Sequence, residues 1–385
     1  MLTNNIKFKN FLVKSKNLKI KKDLNLLIKK KLDILESLKK NYKYSYSKKL
    51  IKKLKKFSNI RIIGMGGSIL GIKSIYDFLT NKTKKKFIFV DNLNTNAKYF
   101  NDKKKYLNLV ISKSGNTLET ISNANVLINK KDKNVFITEN KDSYLKNLAN
   151  KLKAQIVEHK NFIGGRYSVL SEVGMLPVEL MGLNEKKFKQ FNNLIYNKRF
   201  INNLIDNVNS TLNLLKKGKF TSIILNYDER SESFFKWYQQ LIAESLGKKS
   251  KGILPIISSM PKDNHSLMQF YLDGPKKSLF TFFYVFNKKK IFIKNDKILT
   301  GYNYLKNKSI DKIVYAQKLA TEKVFRKKNI PFRSFEVLER NEKTIGELFT
   351  FFILETILLG RALNINPFDQ PSVELIKKET KRILI

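Results

Sequence analysis

The sequence predicts an α/β protein of two units, each built on a mainly parallel sheet covered by helices, with helical segments at both chain ends. Three observations support this prediction. Short apolar runs alternate with stretches of helical spacing, which is the pattern of a parallel sheet with helices on both faces. This alternation occurs twice along the chain. The length of 385 residues also suits two domains of about 150 residues each.

The first half of the chain begins with residues 1–50, where Leu and Ile alternate with Lys at helical spacing. This spacing predicts an amphipathic helical lead-in. The first α/β unit is expected over 51–185, and it starts with the apolar run Arg61-Ile-Ile and the Gly-rich turn Gly64-Met-Gly-Gly-Ser68. A helix over 69–79 follows the turn. Three further strands are expected at 87–90, 107–111 and 135–138.

The second α/β unit is expected over 186–345. Its predicted elements are a helical stretch, a strand, a helix and a longer strand, at 185–217, 221–226, 230–246 and 279–286. Mostly helical sequence follows from 311 onward. The last segment, 346–385, is expected to be helical with a break at Asn366-Pro-Phe-Asp-Gln370.

The charge of the chain is strongly basic, with 76 Lys+Arg against 32 Asp+Glu and a net charge of +44. Such a charge favours a nucleic-acid or anionic-membrane partner. However, only nine of the basic residues are Arg, whereas base and phosphate recognition favours the planar guanidinium. Lys is accompanied by abundant Asn and Ile, whose codons are also A/T-rich, so compositional drift explains the excess. We therefore expect no nucleic-acid partner, and a charge-driven nucleic-acid binder is the alternative.

The chain contains no Cys and two His, His159 and His265. Disulfides, thiolate zinc sites, a Cys nucleophile and a multi-histidine metal site are excluded. This composition agrees with the expectation, implied by the family resemblance described below, of neither a metal nor a cofactor. Residues 1–50 show no secretory signal. The longest apolar stretch, 348–359, contains Glu355 and is too short to cross a bilayer. A cytoplasmic protein without membrane contact is expected.

Two loops that follow predicted strands are suited to an anion. In the Gly-rich turn, Ile69 stands at the position of the third glycine of a dinucleotide-binding fingerprint, so the turn does not match that fingerprint. Its backbone N–H groups at the start of a helix can still bind an anion. Close packing of strand and helix is the alternative. The second loop, Ser112-Lys-Ser-Gly-Asn-Thr117, offers three hydroxyls, an ammonium and a helix N-terminus. A phosphate monoester suits this loop, and helix capping is the alternative.

Six motifs follow one another between positions 64 and 377: Gly64-x-Gly-Gly-Ser68, Ile111-Ser-Lys-Ser-Gly-Asn-Thr117, Gly164-Gly-Arg-Tyr-Ser-Val-Leu170, Gln239-Gln-Leu-Ile-Ala-Glu-Ser-Leu-Gly-Lys248, Asp263-Asn-His-Ser266 and Phe368-Asp-Gln-Pro-Ser-Val-Glu-Leu-Ile-Lys377. Together and in this order they resemble the glucose-6-phosphate isomerase family. The resemblance implies two sugar-isomerase (SIS) domains, each a three-layer α/β/α sandwich. It also implies metal-independent interconversion of glucose 6-phosphate and fructose 6-phosphate.

The resemblance assigns roles to individual residues. Glu244 corresponds to the carboxylate that moves a proton between C2 and C1 through a cis-enediolate. His265 and Lys377 correspond to the ring-opening pair, and Arg166 to the arginine aimed at the enediolate. The expected substrate-binding residues are Gly67, Ser68, Ser112, Lys113, Ser114, Thr117, Gln240 and Gln370. In the family the histidine comes from the neighbouring subunit, which implies a homodimer.

The sequence departs from the family pattern at two positions. Leu246 stands where relatives commonly have a second acid, and Ser372 stands where they have a glycine. Neither departure removes a proposed catalytic group. Two other functions stay open: an isomerase that also accepts mannose 6-phosphate, and a non-catalytic SIS-domain sensor of sugar phosphates. The sensor predicts a DNA-binding appendage, for which residues 1–50 are too short and featureless.

Overall fold

The chain forms two five-stranded sheets with helices packed around them, which confirms the predicted α/β class. The computed structural model describes residues 1–11, 18–29, 32–93, 105–129 and 131–385. The strands are β1 Ile6–Lys9, β2 Asn59–Gly64, β3 Lys86–Val90, β4 Leu107–Ile111, β5 Lys133–Thr138, β6 Gln155–Glu158, β7 Thr221–Asn226, β8 Leu254–Ser259, β9 Ser278–Val285 and β10 Phe332–Val337. The α-helices are α1 Leu18–Lys29, α2 Lys48–Leu54, α3 Leu70–Phe78, α4 Leu118–Leu127, α5 Tyr144–Lys151, α6 Glu172–Leu180, α7 Phe191–Ile195, α8 Lys198–Lys216, α9 Glu232–Leu246, α10 Met268–Asp273, α11 Ile310–Lys327, α12 Glu342–Ala362 and α13 Val373–Leu384.

The first sheet has the strand order β3-β2-β4-β5-β6, and all of its neighbours pair in parallel. Its central strands are continuous apolar runs because both faces are covered, as Ile62 and Ile63 of β2 illustrate. Gly64 pairs with Ile111, so the loops after β2 and β4 leave the sheet side by side. The fold thus brings the two anion-suited loops to one edge of the sheet.

The second sheet has the order β1-β10-β9-β7-β8, parallel except for β1, which pairs antiparallel with β10. The lead-in expected to be helical therefore begins with a strand, in which Ile6 and Phe8 alternate with lysines. Helix α1 agrees with the expectation, and residues 12–17 and 30–31 of the lead-in lie outside the described residues. Strands β6, β8 and β10 are further elements that the sequence reading did not predict.

Helices α9 and α12 connect the two halves of the chain. Phe234 and Phe349 pack together in the core that both sheets share, and the Ser74 hydroxyl of α3 donates to the Ser233 carbonyl of α9 at 2.8 Å. This packing turns the other face of α9 toward the loops of the first sheet. Among the described residues no helix is long and apolar enough to cross a membrane.

A buried ion pair ties β10 to α8, α9 and α12. The Arg333 guanidinium pairs with Glu355 and also donates to Asn207, Thr281 and Tyr238. Both charged side chains are almost fully buried. Removing one charge leaves the other without compensation in a medium where solvation is poor.

We expect Glu355→Gln to lower the free energy of unfolding by about 3–5 kcal/mol, because the buried Arg333 charge loses its counter-ion. Glu339→Gln is the control, since the Lys288–Glu339 pair is exposed and is expected to contribute less than about 1 kcal/mol. Urea unfolding of both variants measures the difference. Equal losses in the two variants would contradict the expectation.

Candidate active site

The buried Arg166 side chain joins three distant segments of the chain. It lies in a 3₁₀ turn, Gly165–Leu170, after β6. A guanidinium has five N–H donors, and here each has an acceptor. Ser245 Oγ accepts from Nε at 2.8 Å. Glu244 Oε2 at 3.1 Å and Gln370 Oε1 at 2.8 Å accept from Nη1. The carbonyls of Pro367 at 2.8 Å and Asp369 at 3.0 Å accept from Nη2.

The Glu244 carboxylate is held through both of its oxygens. Oε2 pairs with Arg166, and Oε1 accepts a hydrogen bond from Gln240 Nε2 at 2.9 Å. Gln240 and Glu244 are four residues apart on α9, so they share one face of that helix. The Glu244 side chain is 31% exposed. An ionised carboxylate has about four acceptor sites, so Glu244 keeps acceptor capacity for a molecule arriving from solvent.

The Gly-rich turn after β2 lies directly against these residues. Gly66 has a positive φ of 53°, and a Cβ added to it would lie 2.6 Å from Gln240 Nε2. A Cβ added to Gly67 would lie 2.2 Å from the carbonyl carbon of Gly165. The two glycines are therefore required for close approach of this turn to α9 and to the Arg166 segment. Ser68 is buried at the end of the turn.

The loop after β4 holds its hydroxyl groups in place for reasons other than helix capping. Thr117 is the N-cap residue of α4, but its side chain makes no capping bond. Its hydroxyl instead lies 2.9 Å from the Ser112 hydroxyl, and the Ser114 hydroxyl accepts from Asn116 N at 3.2 Å. The capping alternative is thus wrong for Thr117. The loop leaves hydroxyls beside the N-terminus of a ten-residue helix, which favours an anion.

Lys113 of the same loop is turned toward the neighbouring segment. Its ammonium donates to the Asn161 carbonyl at 2.7 Å and lies 3.5 Å from Glu139 Oε1. Partial burial lowers the pKa of Lys113, and the Glu139 charge opposes this shift. Lys113 thereby links the β4 loop to the segment that leads into Arg166.

Two of the expected site residues lie apart from this cluster. His265 is exposed at the end of the 3₁₀ turn Lys262–His265, after the edge strand β8. Lys377 is exposed on α13 and pairs with Glu374 at 2.6 Å. Within the described part of the chain, neither residue forms a hydrogen bond or ion pair with Arg166, Glu244 or Gln370.

The structure also adds contacts that the sequence reading did not assign. Ser245 accepts from Arg166 and lies 2.9 Å from the Tyr167 hydroxyl. The indole of Trp237 donates to the Arg166 carbonyl at 3.1 Å. Ser245 and Tyr167 lie inside the quoted motifs, next to Glu244 and Arg166. Their position beside those residues is the sequence signal that could have identified them. Trp237 lies outside the quoted motifs, so no comparable sequence signal identified it.

The two departures from the family pattern lie in different surroundings. Leu246 is fully buried in the hydrophobic core, where an acid would need a partner. Ser372 is exposed at the N-cap of α13 and its side chain makes no capping bond. Within the described part of the chain, neither side chain forms a hydrogen bond or ion pair with Arg166 or Glu244.

Comparison with known proteins points to one family. The family model described as phosphoglucose isomerase matches residues 28–254. A glucose-6-phosphate isomerase of Methanocaldococcus jannaschii is 33% identical over 356 residues, covering 86% of each chain. A hypothetical protein of Thermus thermophilus has the same fold, with a TM-score of 0.82, 22% identity and coverage of 95% of this chain and 94% of that chain. A glucose-6-phosphate isomerase structure from Chlamydia trachomatis has a TM-score of 0.70 at 20% identity, covering 87% and 71%.

The close approach at Gly67 predicts a large effect of a small substitution. We expect Gly67→Ala to lower the free energy of unfolding by about 1–3 kcal/mol, because the added methyl group must push the Arg166 segment away. Trp237, the one tryptophan of the chain, is bonded to Arg166 and reports the displacement through its fluorescence. Gly165→Ala is the matched control, since a Cβ there meets nothing within 4 Å. Indistinguishable spectra and stabilities would contradict the proposed packing.

Proposed function

This chain belongs to the phosphoglucose isomerase family and is an isomerase, and from this we propose that it interconverts glucose 6-phosphate and fructose 6-phosphate. The observation that carries the proposal is the Glu244 carboxylate, held by Arg166 and Gln240 beside two anion-suited loops yet open to solvent. The reaction needs one group to remove a proton from C2 and return it at C1. A fixed carboxylate with spare acceptor capacity can do both.

We propose that the phosphate group binds at the carboxyl edge of the first sheet. The hydroxyls of Ser112, Ser114 and Thr117 supply donors, and the α4 N-terminus supplies a favourable field. Ser68 and the Gly67 backbone form the opposite wall, since the β2 and β4 loops are neighbours. Lys113 would add positive charge after exchanging its Asn161 contact for the phosphate.

The sugar chain would then extend from the phosphate toward Glu244. The Gln240 Oε1 atom is buried and has no hydrogen-bond partner within the described part of the chain. A sugar hydroxyl that donates to this oxygen would satisfy it and orient the C1–C2 bond against the carboxylate. Negative charge that develops on the enediolate oxygen would lie close to the Arg166 guanidinium, whose position is fixed before the reaction.

Glu244→Gln tests the assignment of the proton-transfer group. We expect kcat for fructose 6-phosphate conversion to fall about 10²–10⁴-fold, because the amide cannot accept and return the proton. Affinity for the sugar phosphate is expected to stay within about threefold, because the phosphate contacts lie on other loops. A coupled assay gives kcat, and binding of a non-reacting sugar phosphate gives the affinity.

The control for this substitution is Glu232→Gln. Glu232 lies in the first turn of the same helix, is exposed and has no part in the Arg166 cluster. Its replacement is expected to leave kcat unchanged. Retained turnover in Glu244→Gln would remove Glu244 from the role proposed here.

We further propose that ring opening requires a second copy of the chain. Lys377 and His265 are the groups that the family resemblance assigns to ring opening. His265 follows the edge strand β8, and within the described segments it forms no hydrogen bond or ion pair with Arg166, Glu244 or Gln370 of its own chain. Leu254 and Ile256 of β8, before His265 in the chain, and Phe270 of α10, after it, are exposed. Exposed apolar side chains on these elements are suited to cover by another protein surface.

Helix α13, which carries Lys377, supports the same proposal. None of its residues is buried, and its five apolar residues Val373, Leu375, Ile376, Ile383 and Leu384 are 42% to 84% exposed. An amphipathic helix without a packing partner in its own chain is unstable in water. A second copy that covers α13 would fix Lys377 and would bring its own His265 to the site.

Mixed dimers distinguish a shared site from a site within one chain. We expect Glu244→Gln and His265→Ala homodimers to be nearly inactive, and co-expression at equal levels to restore about a quarter of wild-type activity. Half of the random dimers are hybrids, and each hybrid has one intact pair of Glu244 and His265. Two differently tagged chains allow the hybrids to be purified and assayed.

The alternative outcome is equally specific. If His265 acts on the Glu244 of its own chain, both sites of a hybrid contain one substitution and no activity returns. Co-expression of Glu244→Gln with Glu232→Gln serves as the control for expression level, since every Glu244 then meets an intact His265 whether or not subunits exchange.

A further inference from the structure

A single loop accepts hydrogen bonds from two cationic side chains. Residues 366–370 supply three acceptors to Arg166, namely the carbonyls of Pro367 and Asp369 and the Gln370 amide oxygen. Lys248 donates to the same loop, and the Asp369 carbonyl accepts from both cations. The 366–370 loop is therefore hydrogen-bonded to both Arg166 and Lys248.

Lys248 makes as many contacts as an ammonium can. Its Nζ lies 2.5 Å from the Asn366 carbonyl, the Asp369 carbonyl and Asp369 Oδ1, which matches its three donors. The side chain is only 12% exposed. Asn366 Nδ2 donates to the other Asp369 oxygen at 2.8 Å, which closes the loop on itself. The hydrogen bond from the Lys248 ammonium lowers the pKa of Asp369.

The contacts form a closed circuit around the proposed catalytic carboxylate. Glu244 lies in the last turn of α9, and Lys248 follows it by four residues, just beyond the end of the helix at Leu246. Glu244 contacts Arg166, Arg166 contacts the 366–370 loop, and the loop contacts Lys248. A displacement of the loop would thus remove three of the five acceptors that orient the Arg166 guanidinium.

We propose that Lys248 is a positioning residue, whose ammonium holds the 366–370 loop and through it fixes Arg166 against Glu244. This inference rests on the function proposed above and assigns a role to a residue that does not touch the substrate. The loop also leads directly into α13, so the same contacts set the point from which the Lys377 helix leaves the body of the protein.

Replacing Lys248 by Met keeps the length and apolar stem of the side chain but removes all three donors. The partly exposed acceptors of the loop can then bond to water, so the protein is expected to fold while the loop moves more freely. We expect kcat to fall about 10- to 100-fold, because small misplacement of groups at the reacting carbon is costly. KM is expected to change less than about threefold, because the phosphate loops are untouched.

Lys251→Met is the matched control. Lys251 comes from the same segment, and its ammonium donates to a single carbonyl, that of Leu363, outside the 366–370 loop. Its replacement is expected to leave kcat at the wild-type value. Lys248→Arg retains the charge and two or more donors, and it is expected to recover part of the activity that Lys248→Met loses.

Hydrogen exchange tests the inference without relying on turnover. In Lys248→Met we expect amides over 364–384 to exchange about tenfold faster than in the wild type and in Lys251→Met. An unchanged exchange pattern overturns the inference, as does a wild-type kcat in Lys248→Met or an equal loss in Lys251→Met. If the wild type proves inactive on hexose 6-phosphates, the proposed function fails, while the exchange data still decide whether Lys248 holds the loop.

Discussion

The Arg166 guanidinium is the interaction on which the rest of the site depends. A charge buried to this degree is tolerated only if its donors are satisfied, and the five acceptors come from α9, from the loop before α13 and from the proposed catalytic carboxylate. Meeting this requirement forces the two halves of the chain together. The planar fork also explains why lysine cannot take the position, since a single ammonium has three donors and no fixed directions.

Much of the fold follows from the sequence because parallel strands buried on both faces are apolar runs that periodicity detects. β4 and β7 were predicted at their observed bounds, and β2, β3, β5 and β9 within two residues at each end. The missed strands have different patterns. β8 is an edge strand with Pro255 and exposed apolar side chains, β10 carries the buried Arg333, and β1 alternates with lysines. Each depends on tertiary contacts that a local window does not contain.

The site was predictable as a set of residues but not as an arrangement. The motifs identify Arg166, Glu244 and Gln370, while nothing in their spacing says that Arg166 contacts residues 78 and 204 positions away. The proposed role of Lys248 was likewise not predicted: Lys248 ends the fourth motif, but the motif does not say that its ammonium contacts the 366–370 loop. His265 and Lys377 are the converse case. Their motifs are clear, and the fold of one chain leaves them separate from Glu244.

The basic composition takes a different meaning once individual residues are located. Arg61, Arg166 and Arg333 are buried and meet several acceptors each, where the fork geometry is needed. Most lysines of the described segments lie on the surface, whereas Lys189, Lys248 and Lys318 are largely buried. At the three arginine positions a guanidinium supplies donors in fixed directions, which an ammonium does not. The remaining positive field attracts any dianion, and hexose 6-phosphate arriving at the loops of the first sheet would be such a ligand.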